Sequence, residues 1–289
     1  MTFPLPISVK LRTLLYVPAS SERFLAKAHE CGADAIILDL EDTVAPARKD
    51  AAREYLPAAV TMVGRSGALV FVRINAVPDR LLGDAEAACR AGAAGLFVPK
   101  ARDPAALAAL GDFLGEIEQV IGRPTMSMVP MIEDAGAVLD ARTLALASPR
   151  VVALITDAED LAAALGAEPT PDVLRMPKLM VHYAAKAAGM RSFGLMRAIL
   201  DYTDLAGVEA AAREARGFGF DGASCMQQEM VAMLNRGFSP TPQEIVSARA
   251  LLEAADRARA MGLGAFAFEG RTVDEPTVRR ARTLLERGR

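Results

Sequence analysis

The sequence predicts an α/β fold, a (β/α)8 TIM barrel with a C-terminal helical extension. Three observations predict it. Eight short aliphatic, β-branched runs alternate with alanine-rich segments whose apolar residues recur at helical spacing, the pattern of a parallel sheet with crossover helices. The chain has 289 residues, 52% of them hydrophobic, enough for one large core, and such a barrel occupies about 250 residues. Acidic residues follow three of the runs directly. In a parallel barrel the residues just past the strand ends meet at one mouth, where active sites sit.

The strands are expected at residues 13–17, 35–39, 69–74, 95–98, 127–132, 151–155, 192–196 and 221–225. Helical spacing marks residues 21–31, 80–91, 104–120 and 207–217 among the intervening segments. Ser20 or Ser21 can cap the first of these, with Glu22 in its first turn. Gly32, Gly92 and Gly189 each follow an alanine-rich helix and lead into the next strand, the position of a glycine helix stop. Phe238-Ser239-Pro240-Thr241-Pro242 is turn-rich and separates a barrel at 1–238 from an extension at 239–289. In the extension, helices are expected at 243–261 and 276–287, with a short hairpin or turn at 264–271 between them. The extension is too small to fold alone, so it packs on the barrel or on a neighbouring subunit.

The net charge of −3, from 33 basic and 36 acidic residues, argues against nucleic acid as a bulk electrostatic partner. It leaves room for a small anion held by a few placed cations. Cys31, Cys89 and Cys225 are widely separated and form no C-x-x-C pair, which reads as reduced thiols in a cytoplasmic protein. Residues 1–8 lack the basic and apolar regions of a signal peptide. No stretch approaches the roughly 18 apolar residues of a membrane span, so no membrane partner is expected.

The acidic runs end in Asp39-Leu40-Glu41-Asp42, Ile132-Glu133 and Asp157-Ala158-Glu159-Asp160. Carboxylates that would repel one another are tolerated together when a cation lies between them. Oxygen ligands in ones and twos suit Mg2+ shared with water and substrate. Arg73 and Asn75 end the third strand and Lys100 follows the fourth, at the same mouth. A metal and an arginine together form a receptor for a 2-oxo acid, because guanidinium pairs with carboxylate in two prongs and the metal polarises the carbonyl. Arg73 equally suits a rim salt bridge to Glu41 or Asp42, and Lys100 a structural pairing. Glu159 suits an outer supporting role or a helix start, since acids favour a helix N-terminus. His29 and His182 fall in helices rather than at strand ends, against a zinc hydrolase or a serine–histidine triad.

Motifs in a fixed order resemble the citrate lyase β-subunit-like family of the HpcH/HpaI aldolase group, over nearly the whole chain. The opening strand Arg12-Thr13-Leu14-Leu15-Tyr16-Val17-Pro18 is followed by Gly32-Ala33-Asp34-Ala35-Ile36-Ile37-Leu38-Asp39-Leu40-Glu41-Asp42-Thr43-Val44-Ala45-Pro46, the most distinctive signature. Val72-Arg73-Ile74-Asn75, Val98-Pro99-Lys100, Met131-Ile132-Glu133 and Ala158-Glu159-Asp160-Leu161 then follow. The resemblance implies Mg2+ held by Glu133 and Asp160, with Arg73 on the substrate carboxylate. Around that set, Glu41, Asp42 and Glu159 are expected as outer supports, Glu133, Lys100 and Asn75 as further substrate-binding groups, and Arg73 also as a catalytic one. It implies Claisen- or aldol-type cleavage of a hydroxyacyl-CoA thioester or related hydroxy acid, giving a 2-oxo acid, in a homotrimer or hexamer. Asp274, in Gly270-Arg271-Thr272-Val273-Asp274-Glu275-Pro276, matches a catalytic aspartate that the family supplies from a neighbouring subunit. Taken alone, Asp274 is also a cap for the helix that Pro276 begins.

The chain departs from the family pattern around the outer mouth. Gly222-Ala223 and Gln227-Gln228 stand where Gly-Lys and His-Pro are usual. Asp157 and Ala19 replace glycines, and Met176-Pro177-Lys178-Leu179 replaces a Tyr-Ala-Arg-Ser-like stretch. Two further readings share the site: hydrolysis of the thioester, and a non-catalytic partner subunit of a lyase complex.

Overall fold

The computed structural model describes residues 9–196 and 203–288. The 1–8 segment, expected to carry no signal peptide, lies outside the described residues. Eight parallel strands form the barrel: β1 Thr13–Pro18, β2 Ala35–Asp39, β3 Leu69–Arg73, β4 Gly95–Val98, β5 Ser127–Ile132, β6 Ala153–Thr156, β7 Arg191–Phe193 and β8 Ala223–Cys225. They are ordered β7-β6-β5-β4-β3-β2-β1-β8. The ends of that row meet in a single bridge, Phe193 to Gly222. There the Gly194 N–H donates to the Gly222 carbonyl at 2.9 Å and the Asp221 N–H to the Ser192 carbonyl at 2.9 Å. The closed ring is the expected (β/α)8 TIM barrel.

Alternation along each strand divides the apolar residues into two layers. Leu14, Tyr16, Ala35, Ile37, Phe71, Phe97, Val129, Met131, Ile155 and Phe193 fill the barrel interior. Leu15, Val17, Ile36, Leu38, Val70, Val72, Leu96 and Val98 face outward into the layer shared with the helices. Phe71 and Phe97 meet edge to face inside, centroids 5.6 Å apart. Gly95 makes room for them: a Cβ there would lie 2.7 Å from the Ser127 carbonyl oxygen and 2.8 Å from the Phe71 ring.

The helices are α1 Glu22–Ala28, α2 Lys49–Glu54, α3 Leu56–Gly64, α4 Pro78–Arg90, α5 Pro104–Ile121, α6 Ala135–Leu139, α7 Ala141–Ala145, α8 Ala158–Leu165, α9 Pro171–Ala187, α10 Leu205–Phe218 and α11 Glu229–Phe238. Gly32, Gly92 and Gly189 have φ of +74°, +87° and +73°, the left-handed turn expected where a helix hands over to a strand. Among the described residues no helix is long and apolar enough to cross a membrane.

The extension holds α12 Pro242–Ala260, a two-stranded antiparallel hairpin of β9 Phe266–Phe268 and β10 Arg271–Val273, and α13 Glu275–Arg287. Glu269 and Gly270 both have positive φ at the hairpin turn, the conformation that a two-residue connection favours. Thr241 and Glu244 cap α12 reciprocally. The hairpin and the two helices bury a small cluster of their own around Ala255, Val273 and Val278. Ion pairs tie the extension back to the barrel at Arg216–Glu244 (2.7 Å) and Arg287–Asp221 (3.2 Å).

The structure corrects several boundaries. Helix α1 ends at Ala28 rather than residue 31, and its cap residue Ser21 makes no side-chain capping bond. Strand β6 begins at Ala153, because Val151 contributes only a bridge to Met128. Strand β7 stops at Phe193, since Gly194 has φ +147° and turns the chain out of the ladder. Strand β8 begins at Ala223, after the bridge at Gly222.

The tight contact at Gly95 has a measurable consequence. Gly95→Ala is expected to destabilise the barrel by about 1–3 kcal/mol, the usual cost of an extra methyl in a filled core. Urea denaturation checks this through a lower midpoint at unchanged slope. An unchanged midpoint would mean that the β3–β5 backbone yields freely.

Candidate active site

Two interior positions carry charge instead of hydrocarbon. Residues 35, 37 and 39 of β2 point inward, as do 71 and 73 of β3, and the register sets Asp39 opposite Arg73. Both are buried. Arg73 Nε donates to Asp39 Oδ1 at 2.6 Å and its NH2 to Oδ2 at 2.7 Å, a two-pronged pair. Its remaining nitrogen, NH1, lies 3.1 Å from Asp42 Oδ2 and 3.4 Å from Glu41 Oε2. The guanidinium also stands 4.9 Å from the centre of the Tyr16 ring. Asp39 accepts further bonds from the Glu41 N–H, the Thr43 N–H and the Thr43 hydroxyl. Burial opposes charge on both partners, but their pairing outweighs it, lowering the Asp39 pKa and raising that of Arg73. The fork expected for a ligand carboxylate is therefore occupied by Asp39, and only the NH1 edge faces other anions.

Lys100 connects β4 to the same network. Its φ of 51° is rare for a residue with a side chain and marks a strained turn. The turn aims the Lys100 N–H at Glu133 Oε2, 3.2 Å away, and its Nζ at Glu41 Oε1, 2.7 Å away. Nζ lies 3.9 Å from Glu133 Oε2. Glu41 Oε2 is buried without a hydrogen-bond partner among the described residues.

Glu133 follows β5 and Asp160 lies in the first turn of α8, just past β6; those strands are neighbours through Ile132 and Thr156. Asp157 caps α8, its Oδ1 accepting the N–H groups of Glu159 and Asp160 at 3.0 and 3.3 Å. Asp157 thereby sets the position of Asp160, while Glu159 is exposed. Burial pushes the Glu133 carboxyl up to about 8; Lys100 opposes this, and Asp160, Asp157 and Glu41 add to it. Burial, then repulsion from Asp157, raises the Asp160 carboxyl. The acidic groups thus exceed the local supply of cations. Among the described residues no three carboxylate, imidazole or thiolate side chains converge as a metal cage. Two carboxylates are nevertheless the protein share that Mg2+ ordinarily takes, the rest being water and substrate oxygens. Glu133 and Asp160 fit that share.

Other expected site residues lie elsewhere. Asn75 is buried and satisfied internally: its amide donates to the Leu40 carbonyl at 3.0 Å and to Asp84 Oδ2 at 2.7 Å, and its carbonyl accepts from Lys49. This arrangement holds the loop after β2 and leaves Asn75 no spare group for a ligand. Asp274 is exposed and caps α13, accepting from the Thr277 N–H at 3.3 Å and its hydroxyl at 3.0 Å. No hydrogen bond or ion pair among the described residues joins Asp274 to the mouth of its own barrel.

A cavity of about 190 Å3 adjoins the carboxylates, on the side of β6, β7, β8 and β1. Tyr16, Thr156, Asp157 and Lys178 are among its lining groups. Sequence reasoning assigned no role to Asp39, Tyr16 or Lys178. Two-residue alternation places Asp39 and Tyr16 inside, and counting it along β1 and β2 would have found them. Lys178 sits on a helix, where no strand alternation signals it.

The fold and this mouth define a TIM-barrel protein with adjacent carboxylates past β5 and β6 and a guanidinium on β3. The sequence model of the HpcH/HpaI aldolase/citrate lyase family matches residues 12–228. The chain belongs to that family. It is 31% identical to citrate lyase subunit beta of Leuconostoc mesenteroides over 283 residues, covering 95% of this chain and 92% of the relative. It is 32% identical to a (3S)-malyl-CoA thioesterase of Cereibacter sphaeroides over 278 residues, covering 95% and 93%. Among solved structures, the protein CitE of Mycobacterium tuberculosis in complex with magnesium, acetoacetate and coenzyme A superposes with a TM-score of 0.81 at 30% identity, covering 98% of this chain and 99% of that one.

The Asp39–Arg73 pair gives a direct test. Asp39→Asn keeps the shape but leaves a buried guanidinium short of its charge partner. The variant is expected to lose about 3–5 kcal/mol of stability by urea denaturation, as when one half of a buried pair is removed. A loss below about 1 kcal/mol would mean that Glu41 and Asp42 suffice to hold Arg73.

Proposed function

We propose that the protein is a Mg2+-dependent carbon–carbon lyase. It cleaves or forms a hydroxyacyl-CoA thioester or a related hydroxy acid, with a 2-oxo acid as one product. The observation that carries the reading is the pair Glu133 and Asp160 on adjacent strand ends, their carboxyls raised by burial and by neighbouring carboxylates at the mouth that holds the Arg73 guanidinium. The citrate lyase β relatives and the magnesium in the CitE structure support it.

Glu133 and Asp160 would hold the metal. When bound, Mg2+ supplies Lewis-acid polarisation of a 2-oxo acid carbonyl. Arg73 contributes its NH1 edge to the ligand carboxylate, while Asp39 holds the rest of the guanidinium still. Such fixed, desolvated donors stabilise developing negative charge without rearranging during reaction. Lys100 braces Glu41 and, through its backbone N–H, Glu133. Asp274 lies on the hairpin–helix connection of the extension and reaches the mouth of a neighbouring barrel in a homotrimer or hexamer. There it takes or gives the proton at the carbon of the acyl fragment. The reduced thiols Cys31, Cys89 and Cys225 are consistent with a cytoplasmic setting.

Thioester hydrolysis is a second reading, favoured by the malyl-CoA thioesterase relatives. Product analysis separates the two: a lyase releases a 2-oxo acid and an acyl-CoA, whereas a thioesterase releases free CoA and the intact hydroxy acid. A chain that turns over no such substrate would be a non-catalytic partner subunit.

Three substitutions test the assignment. Glu133→Ala and Asp160→Ala are each expected to abolish the Mg2+-dependent rise in melting temperature, since a ligand bound only to the native state stabilises it. Calorimetry showing parental Mg2+ affinity in either variant would remove that residue from the metal site. Asp274→Asn keeps the α13 cap, because asparagine caps about as well. It is expected to preserve fold, oligomer and Mg2+ binding while turnover falls by a factor on the order of a hundred or more. Turnover near the parental rate would reduce Asp274 to a cap.

A further inference from the structure

Lys178 lies in α9, directly after the interior Pro177, and is only 5% exposed although it lines the cavity at the barrel mouth. Its Nζ donates to the Leu195 carbonyl at 3.0 Å, the one bond it makes among the described residues. No described carboxylate oxygen lies within 4.0 Å of that nitrogen. An ammonium has three donors, so two remain for the cavity. Elsewhere the wall is largely apolar, with Met131, Ile155 and Met226 among its members. Asp157 and Glu159 also border the cavity; Asp157 caps α8 through Oδ1, Glu159 is exposed to water, and neither carboxylate comes within 4.0 Å of the Lys178 Nζ. Burial lowers the Lys178 pKa to about 8, against the pull of Asp157 and Glu159. A buried cation with no carboxylate in direct contact among the described residues is costly, and the fold bears that cost at the edge of the candidate site.

Two open donors on a buried cation at the cavity wall suit an anion that enters the cavity. A charge appearing only in a transition state would not offset a cost borne at rest. The reacting carbonyl and its neighbouring carboxylate are already served by the metal and Arg73 in the reading above, on which this inference rests. We infer that Lys178 is a specificity-determining residue whose ammonium receives a second, distal carboxylate of the ligand. The site then takes dicarboxylic oxo or hydroxy acids in preference to monocarboxylic ones.

Oxaloacetate and pyruvate differ by that one carboxylate. Calorimetry with each acid, with and without Mg2+, is to be run on the full chain and on Lys178→Met, Lys178→Arg and Glu133→Gln. The parent is expected to bind oxaloacetate more tightly than pyruvate. Lys178→Met is expected to lose ~10-fold or more in oxaloacetate affinity, the scale of one charged hydrogen bond, with pyruvate affinity within about twofold of parent. Lys178→Arg, which keeps the charge, is expected to retain the preference. A parent that binds both acids equally, or neither, overturns the inference. So does a Lys178→Met variant that weakens both acids alike. The metal reading fails separately, if Glu133→Gln leaves Mg2+-dependent binding intact. Selective loss of oxaloacetate in Lys178→Met without Mg2+ upholds the role of Lys178 even then.

Discussion

The buried pair of Asp39 and Arg73 is the constraint on which the mouth depends. Two opposite charges in adjacent strands, at matched register, replace hydrocarbon in the uppermost interior layer of the barrel. Desolvating them is costly, and each is tolerated only because the other is there. The pair then fixes its surroundings. Asp39 receives the backbone N–H groups of Glu41 and Thr43, so the loop after β2 is shaped around it. Arg73 presents its last nitrogen to Glu41 and Asp42. Glu41 in turn holds Lys100, whose backbone holds Glu133. A chain of charge-assisted contacts thus runs from β2 and β3 to the strand ends at β5 and β6.

This explains why the carboxylates are so unevenly perturbed. Asp39 has arginine on both oxygens and is held low, whereas Glu133 has one partly exposed lysine and three acidic neighbours and is held high. The first belongs to the scaffold. The second is raised by burial and acidic neighbours, and Asp160 shares that condition. Similar residues at one mouth serve different ends because their partners differ, not because their chemistry does.

Much of the fold was legible in the sequence because the barrel repeats one simple unit. Five of the eight strands, β1 to β5, agree with their expected positions to within one residue at each end, and Gly32, Gly92 and Gly189 turn where their place in the repeat says they must. Strands β6, β7 and β8 depart from their expected bounds, and β7 and β8 have too few residues to show alternation. At the site, strand-end position brought out Arg73, Lys100, Glu133 and Asp160. It did not reveal that Asp39 occupies the fork of Arg73, since that depends on register between strands, nor that Asn75 serves Leu40, Asp84 and Lys49. Lys178 was noted only as a departure from a family motif. Its burial follows from how α9 leans over β7, which no local pattern encodes.

The single bridge between Phe193 and Gly222 gives the barrel a seam, and the cavity with Lys178 lies along it. The opposite half, from β2 to β5, is knit by longer ladders and by the ionic chain at its top. One wall of the mouth is therefore conservative by construction and the other is permissive. Apart from Tyr16, which touches Arg73, and Asp157, which positions Asp160, the residues along the seam stand off the groups that would perform the chemistry. In such an architecture new ligand preferences arise by editing one side of the rim, which is how a single scaffold can diversify while its reactive half stands still.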